Sequence, residues 1–178
     1  MILADIVSPG DTVVDATCGN GHDSLFLASL IGAEGRLISM DVQDGAVAAT
    51  SAGLASGSIV PRYQVILTSH ERLSEVVDQD GKVSAVVFNL GYLPGGDKSL
   101  ITRAESTVNG LMQATELIRP SGAVLVTVYA GHDGGRDEAE AVDQFISSLN
   151  PKRFSIARHQ WLSRSSKSPY VLIIQRKG

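Results

Sequence analysis

The sequence predicts an α/β fold: a mostly parallel sheet covered by helices on both faces. Three observations predict it. Apolar, strand-like runs alternate with helix-like stretches along all 178 residues, as in linked βαβ units. A glycine turn, Gly19-Asn20-Gly21, joins the first apolar run to an amphipathic stretch. The next strand-like run, Arg36-Leu37-Ile38-Ser39-Met40-Asp41, ends in an acid.

The elements follow in order. Strands are expected at residues 12–16, 36–41, 63–67, 84–89, 123–129, 155–161 and 170–175. Helices are expected near 23–31, 44–56, 72–77, 100–118 and 136–149. The first of these helices should bury Leu25, Phe26, Leu27, Leu30 and Ile31. Arg119-Pro120-Ser121-Gly122 reads as a helix stop and a turn. Only a short connection, 163–169, separates the final two strands, so they should run antiparallel. Residues 4–7, before Pro9-Gly10, read as the last turn of a helix whose beginning lies upstream or is dispensed with.

Composition narrows the function. One domain over residues 1–178 is expected, because a chain that is 43% hydrophobic can bury a full core. No apolar run is long enough to span a bilayer, and the start lacks a signal peptide's basic residues, so a cytoplasmic location is expected. One cysteine, Cys18, excludes an internal disulfide and a multi-thiolate zinc site, and no metal is expected. Net charge is −4, but unevenly spread. The last 35 residues hold no Asp or Glu, and carry Lys152, Arg153, Arg158, Arg164, Lys167, Arg176 and Lys177. That segment can form a local phosphate-binding face, or simply a solvated sheet edge.

A glycine turn between a strand and a helix lets backbone approach a ligand and aims free N–H groups at it. A dinucleotide fold wants a third glycine where Ser24 stands. Asp41 lies 20 residues beyond Gly21, placed to accept from both hydroxyls of a ribose. Together these resemble the Rossmann-like class I methyltransferases, which use S-adenosylmethionine (SAM). That resemblance implies a seven-stranded sheet with the last strand antiparallel.

The donor site is then expected at Cys18, Gly19, Asn20, Gly21, Asp23, Asp41, Gln43, Ser69 and His70, with Asn89 beside them. Cys18 fits better as a packing residue than as a nucleophile. Asp23 suits either the donor's ammonium or the positive end of a helix dipole. His70, a lone loop histidine, suits the surface as well as the site. The catalytic candidates are Asn89, Tyr92 and His132. Phe88-Asn89-Leu90-Gly91-Tyr92-Leu93-Pro94 leaves a strand as a polar residue, then an aromatic, then proline. Methyltransferases of exocyclic amines place Asn or Asp, proline and an aromatic at this strand end. Tyr129-Ala130-Gly131-His132 is a further glycine-rich loop, and His132 is a candidate proton acceptor or a loop cap.

Read in order, D-A-T-C-G-N-G-H-D-S, M-D-V-Q, T-S-H, F-N-L-G-Y-L-P-G-G-D-K and Y-A-G-H-D-G-G resemble the YtqB-like family of rRNA methylases. Its members are now understood as methyltransferases of the aminomethyl group on a modified tRNA wobble uridine. The match runs from Asp15 to about Glu138. It implies that Asn89 to Lys98 and Tyr129 to Gly135 face the wobble base, that the tRNA anticodon region is the partner, and that a homodimer is compatible with the fold. Ser24 departs from the family, where Thr is common. Two other readings stay open: a SAM-dependent methyltransferase of small amines, and a SAM-binding module without catalysis. A nicotinamide dehydrogenase fits less well, for want of the third glycine.

Overall fold

The computed structural model describes residues 2–78, 83–91, 93, 95, 101–131, 134–161, 163 and 168–178. In chain order the elements are α1 (Ile2–Ile6), β1 (Thr12–Asp15), α2 (His22–Ile31), β2 (Arg36–Asp41), α3 (Asp44–Ala55) and β3 (Arg62–Leu67). A 3₁₀ turn (His70–Arg72) leads into α4 (Leu73–Val76), then β4 (Val83–Asn89), α5 (Ala104–Leu117) and β5 (Ile118–Val128). The chain ends with α6 (Gly135–Ser148), β6 (Phe154–His159) and β7 (Tyr170–Arg176).

The seven strands form one sheet in the order β3-β2-β1-β4-β5-β7-β6. Strands β1 to β5 pair in parallel; β7 is antiparallel to both β5 and β6. The expected antiparallel final pair is present. Strand residues alternate between two cores because successive side chains point to opposite faces. Val13, Leu37, Ala85, Val87 and Leu125 pack with Leu27, Ile31 and Leu54 of α2 and α3. Val14, Ile38, Val86, Phe88 and Val126 pack with Leu111, Ala114 and Val142 of α5 and α6. A sheet buried on both faces explains why its central strands are mostly apolar.

Two expectations need correction. Phe26 is not on the buried stripe of α2: it is exposed, while Ser24, Leu27, Ala28 and Ile31 are buried. A helix of 3.6 residues per turn cannot turn 25, 26 and 27 to one side. The second concerns residues 119–122, which do end α5 but form a bulge inside β5 rather than a turn before it. Val83 still pairs with Ile118, whereas Ala85 pairs with Ala123, so the register shifts across them. Pro120 has no N–H for the ladder. Ser121 takes a left-handed φ of 64°, and a Cβ on Gly122 would lie 2.9 Å from the Arg119 and Ser84 carbonyls. Arg119 locks the bulge by donating to Ser84 Oγ at 2.9 Å and to the Ile6 carbonyl at 3.1 Å.

Candidate active site

The strand order reverses direction between β1 and β4, and a parallel sheet opens a crevice at such a point, at the carboxyl ends of its strands. A cavity of about 780 Å³ lies there. It has the volume of a small-molecule site. Every connection on this side contributes: Thr17 to Asn20, His22 and Asp23 after β1, Asp41 to Gln43 after β2, Thr68 to His70 after β3, Asn89 to Gly91 after β4, and Tyr129 after β5.

The glycine turn is shaped by what it must avoid. Gly21 has φ 83°, and a Cβ there would stand 3.0 Å from Thr50 Cα on α3. No L side chain fits that position without strain. Gly21 therefore sets the path of the turn and does not itself line the cavity. Thr50 also donates its hydroxyl to the Gly19 carbonyl at 3.2 Å, so α3 pins the turn from behind.

Asp41 is half-buried at the end of β2. Its Oδ2 accepts the Gly19 N–H at 2.9 Å and its Oδ1 accepts the Gln43 N–H at 3.0 Å. A carboxylate oxygen has two acceptor sites. Both oxygens are thus oriented by backbone and keep capacity for a pair of ribose hydroxyls. Gln43 and Ser69 line the same wall. The Ser69 Oγ accepts the Glu71 N–H at 3.3 Å, capping the 3₁₀ turn.

His70 is buried, contrary to the surface placement its loop position allowed. Its ring meets Phe88 edge-on, with centroids 5.7 Å apart, and Gly110 of α5 gives it room. Burial pushes its pKa down to about 4, against the opposing pull of the Asp41 charge and a Ser106 backbone hydrogen bond. It is neutral at pH 7 and too weakly basic to take a proton from an ammonium. Among the described residues, its Nε2 is the one buried side-chain nitrogen or oxygen without a partner. A buried polar atom is rarely left so unless a ligand or water meets it.

Asn89 closes the other side. Its backbone N–H donates to Thr17 Oγ1 at 2.7 Å, and its side-chain Nδ2 donates to Asp23 Oδ2. With the amide nitrogen held by Asp23, the Asn89 carbonyl oxygen is left as an acceptor. Asp23 is therefore part of the site and not only a helix-start acid. Tyr92 and His132 lie outside the described residues.

Asp15 and Ser24 stand in the sequence motifs, but their shared supporting role was not legible there. Asp15 is fully buried and accepts from Ser24 Oγ at 2.6 Å, and Ser24 is hydrogen-bonded to Ser39 at 2.8 Å. Burial pushes the Asp15 carboxyl up to about 7; the Ser24 hydrogen bond opposes this, and the Asp23 charge adds to it. Cys18 is buried beside them, and burial pushes its thiol up to about 12, which makes it a poor nucleophile. The only available signal for this layer was polar residues on otherwise apolar strands.

The basic C-terminal segment is largely occupied. Arg153 pairs with Glu116 and Arg158 with Asp143. Arg176 and Lys177 donate to backbone carbonyls of Ile118 and Pro151. Arg164 and Lys167 lie outside the described residues.

The residues present fit SAM. A close-approach turn, an Asp41 carboxylate oriented by backbone and a buried His70 nitrogen without a partner line one cavity of suitable volume. A seven-stranded sheet of this order with this site defines a class I SAM-dependent methyltransferase. Comparison with known proteins agrees. Residues 37–175 match the family model described as "Putative rRNA methylase", and the chain belongs to that family. It is 36% identical over 186 aligned residues to the chloroplastic tRNA (mnm(5)s(2)U34)-methyltransferase of Arabidopsis thaliana, covering all of this chain and 68% of that protein. A Clostridium thermocellum crystal structure of the same description superposes with a TM-score of 0.93 at 39% identity, covering 98% of this chain and 93% of that one. A Streptococcus mutans structure in complex with SAH gives 0.87 at 29% identity, with the same coverages.

Proposed function

We propose that this chain methylates the aminomethyl group of a modified wobble uridine in tRNA, with the anticodon region as the bound segment. The observation that carries this reading is the anchoring of Asn89. Its amide nitrogen is committed to Asp23, so its carbonyl oxygen accepts from a substrate, and an amine N–H is the matching donor. The relative from Arabidopsis thaliana, named for that reaction, supports the choice of amine.

SAM supplies an electrophilic methyl group when bound. The chain's own work is to hold, align and dry the reactants. Gly19, Asn20, Asp41, Gln43, Ser69 and His70 hold the donor, with Cys18 and Gly21 shaping its turn. Asn89 holds the amine, and Tyr92 packs on the base. A primary amine is protonated at neutral pH, and burial in this cavity favours the neutral, reactive form. His132 then takes the proton released on transfer. A cytoplasmic location and action as a homodimer accompany this reading.

Mass spectrometry of nucleosides tests it, after incubating the protein with SAM and tRNA lacking the methyl. A methyl mass gain at the wobble uridine is expected. Its absence, with SAM bound, rejects the substrate. Asn89→Ala should lower the rate about 100-fold while leaving SAM affinity near wild type. A non-catalytic module would show no rate to lose.

A further inference from the structure

The β6 edge carries an aromatic pair that the reaction site does not use. Trp161, the sole tryptophan of the chain, is 61% exposed. The His159 ring meets it edge-on, with centroids 5.9 Å apart and planes at 81°. A tryptophan this exposed on a folded chain is unusual and commonly marks an interface.

Its position ties it to the cavity. His159 pairs with Val171 on β7, and Tyr170 pairs with Val128 on β5. The next residues along, Pro169 and Tyr129, both line the cavity. Trp161 therefore stands at the same end of the sheet as the site. Two strand spacings, about 10 Å, separate the β6 and β5 lines.

The surroundings favour nucleic acid over a protein partner. Alternation along β6 puts residues 155, 157 and 159 on one face and 154, 156 and 158 on the other. The side shared with His159 holds Ser155 and Ala157 on β6 and the partly buried Val171 and Ile173 opposite them on β7, a narrow strip rather than a wide apolar patch. Exposed Ile156 lies on the opposite side. No acid follows Asp143, so nothing in this segment repels phosphate. Proteins bind single-stranded loops by stacking unpaired bases on such rings.

We propose that Trp161, backed by His159, is a stacking platform for a nucleobase flanking the methylated one in a single-stranded loop. This rests on the tRNA reading above.

The single tryptophan makes the test direct. An anticodon stem-loop RNA carrying the aminomethyl uridine is titrated into the full chain. Indole fluorescence should fall on binding, and less so when loop bases beside the wobble position are abasic. Trp161→Ala should raise KM for the RNA about tenfold at unchanged SAM affinity, and Trp161→Phe should recover most of it. Methyl transfer by the wild type without quenching, and with KM of W161A within about twofold, overturns the platform alone. A smaller sedimenting mass for W161A overturns it too, by making this edge a contact between copies of the chain. No transfer to RNA by the wild type rejects the substrate reading instead, whatever the fluorescence does.

Discussion

Glu138 has no place in the chemistry, yet its removal should damage both stability and turnover. It lies on α6, only 2% exposed. Its Oε1 accepts from the Thr107 hydroxyl at 2.6 Å and its Oε2 from the Thr102 hydroxyl at 2.9 Å. Thr102 in turn clasps Gly91: its hydroxyl accepts the Gly91 N–H at 2.7 Å and its own N–H donates to the Gly91 carbonyl at 2.9 Å. Gly91 is two residues from Asn89, so the carboxylate fixes the path of the chain as it leaves β4. Glu138→Ala strands two hydroxyl donors. Hydrogen bonds to a charged group contribute about 1.5–3 kcal/mol each. Thr107 is fully buried and has no water to turn to, whereas half-buried Thr102 does. A loss of about 3 kcal/mol follows, which for a chain of this length lowers Tm by about 10 °C. Glu138→Gln keeps one acceptor and should lose about half as much. The rate should fall about tenfold, because small displacements of positioning groups are costly, while SAM affinity holds. Calorimetric unfolding, SAM titration and methyl transfer measure the three quantities. An alanine variant melting within about 2 °C of wild type would refute the energetic argument. A fall in SAM affinity as large as the fall in rate would refute the assignment to the loop after β4.

Other outcomes follow from the same geometry. Gly21→Ala forces a Cβ to 3.0 Å from Thr50 Cα at a positive φ, so SAM affinity by calorimetry should fall at least tenfold. Asp41→Ala releases the Gly19 and Gln43 N–H groups and removes the ribose acceptor; donor binding should weaken by about 100-fold, and an unchanged Kd would remove Asp41 from the site. Asp15 has a folded pKa of about 7 against 3.8 for the free group, so the folded state binds more protons between those values and its contribution to stability falls as pH rises. Asp15→Asn removes that slope. The stability of the variant relative to wild type, from urea unfolding, should rise by about 2.5 kcal/mol between pH 5 and pH 8, and a flat difference would show that Asp15 does not titrate there.

The regular elements were legible because their signals are local. β2 runs over the residues expected, and the other strands differ chiefly at their ends. The exception is the bulge at 119–122. Proline and glycine announce a break there, but only the spacing of β4 shows that pairing resumes on both sides of it. That the loops after β1, β2, β3 and β4 share one cavity was legible too, since a glycine turn and strand-end polar residues mark one sheet edge. His70 was harder. Nothing next to it in sequence shows that Gly110 leaves space for its ring or that Phe88 lies against it. Its burial, and hence its neutral state, is a property of α5 and β4. The basic segment was incompletely legible for the same reason: a count of cations cannot show that Arg153 and Arg158 already face acids on α5 and α6.

What the sequence hides is consistently the second partner of each hydrogen bond. Gly19 meets Asp41 across 22 positions, Asn89 meets Asp23 across 66 and Thr17 across 72, and Thr107 meets Glu138 across 31. Each pair joins different strands, turns or helices, so each forms only once the sheet has its final order. This has a chemical consequence. A direct displacement gains most from reactants already held in line, and held groups need no reorganisation at the moment of reaction. Asp41 has both oxygens fixed by backbone before any ribose arrives. Asn89 has its amide nitrogen committed, which leaves its carbonyl oxygen as the end free to accept. The fold therefore supplies orientation in advance, and binding energy from donor and substrate is left for bringing the methyl and its acceptor atom together.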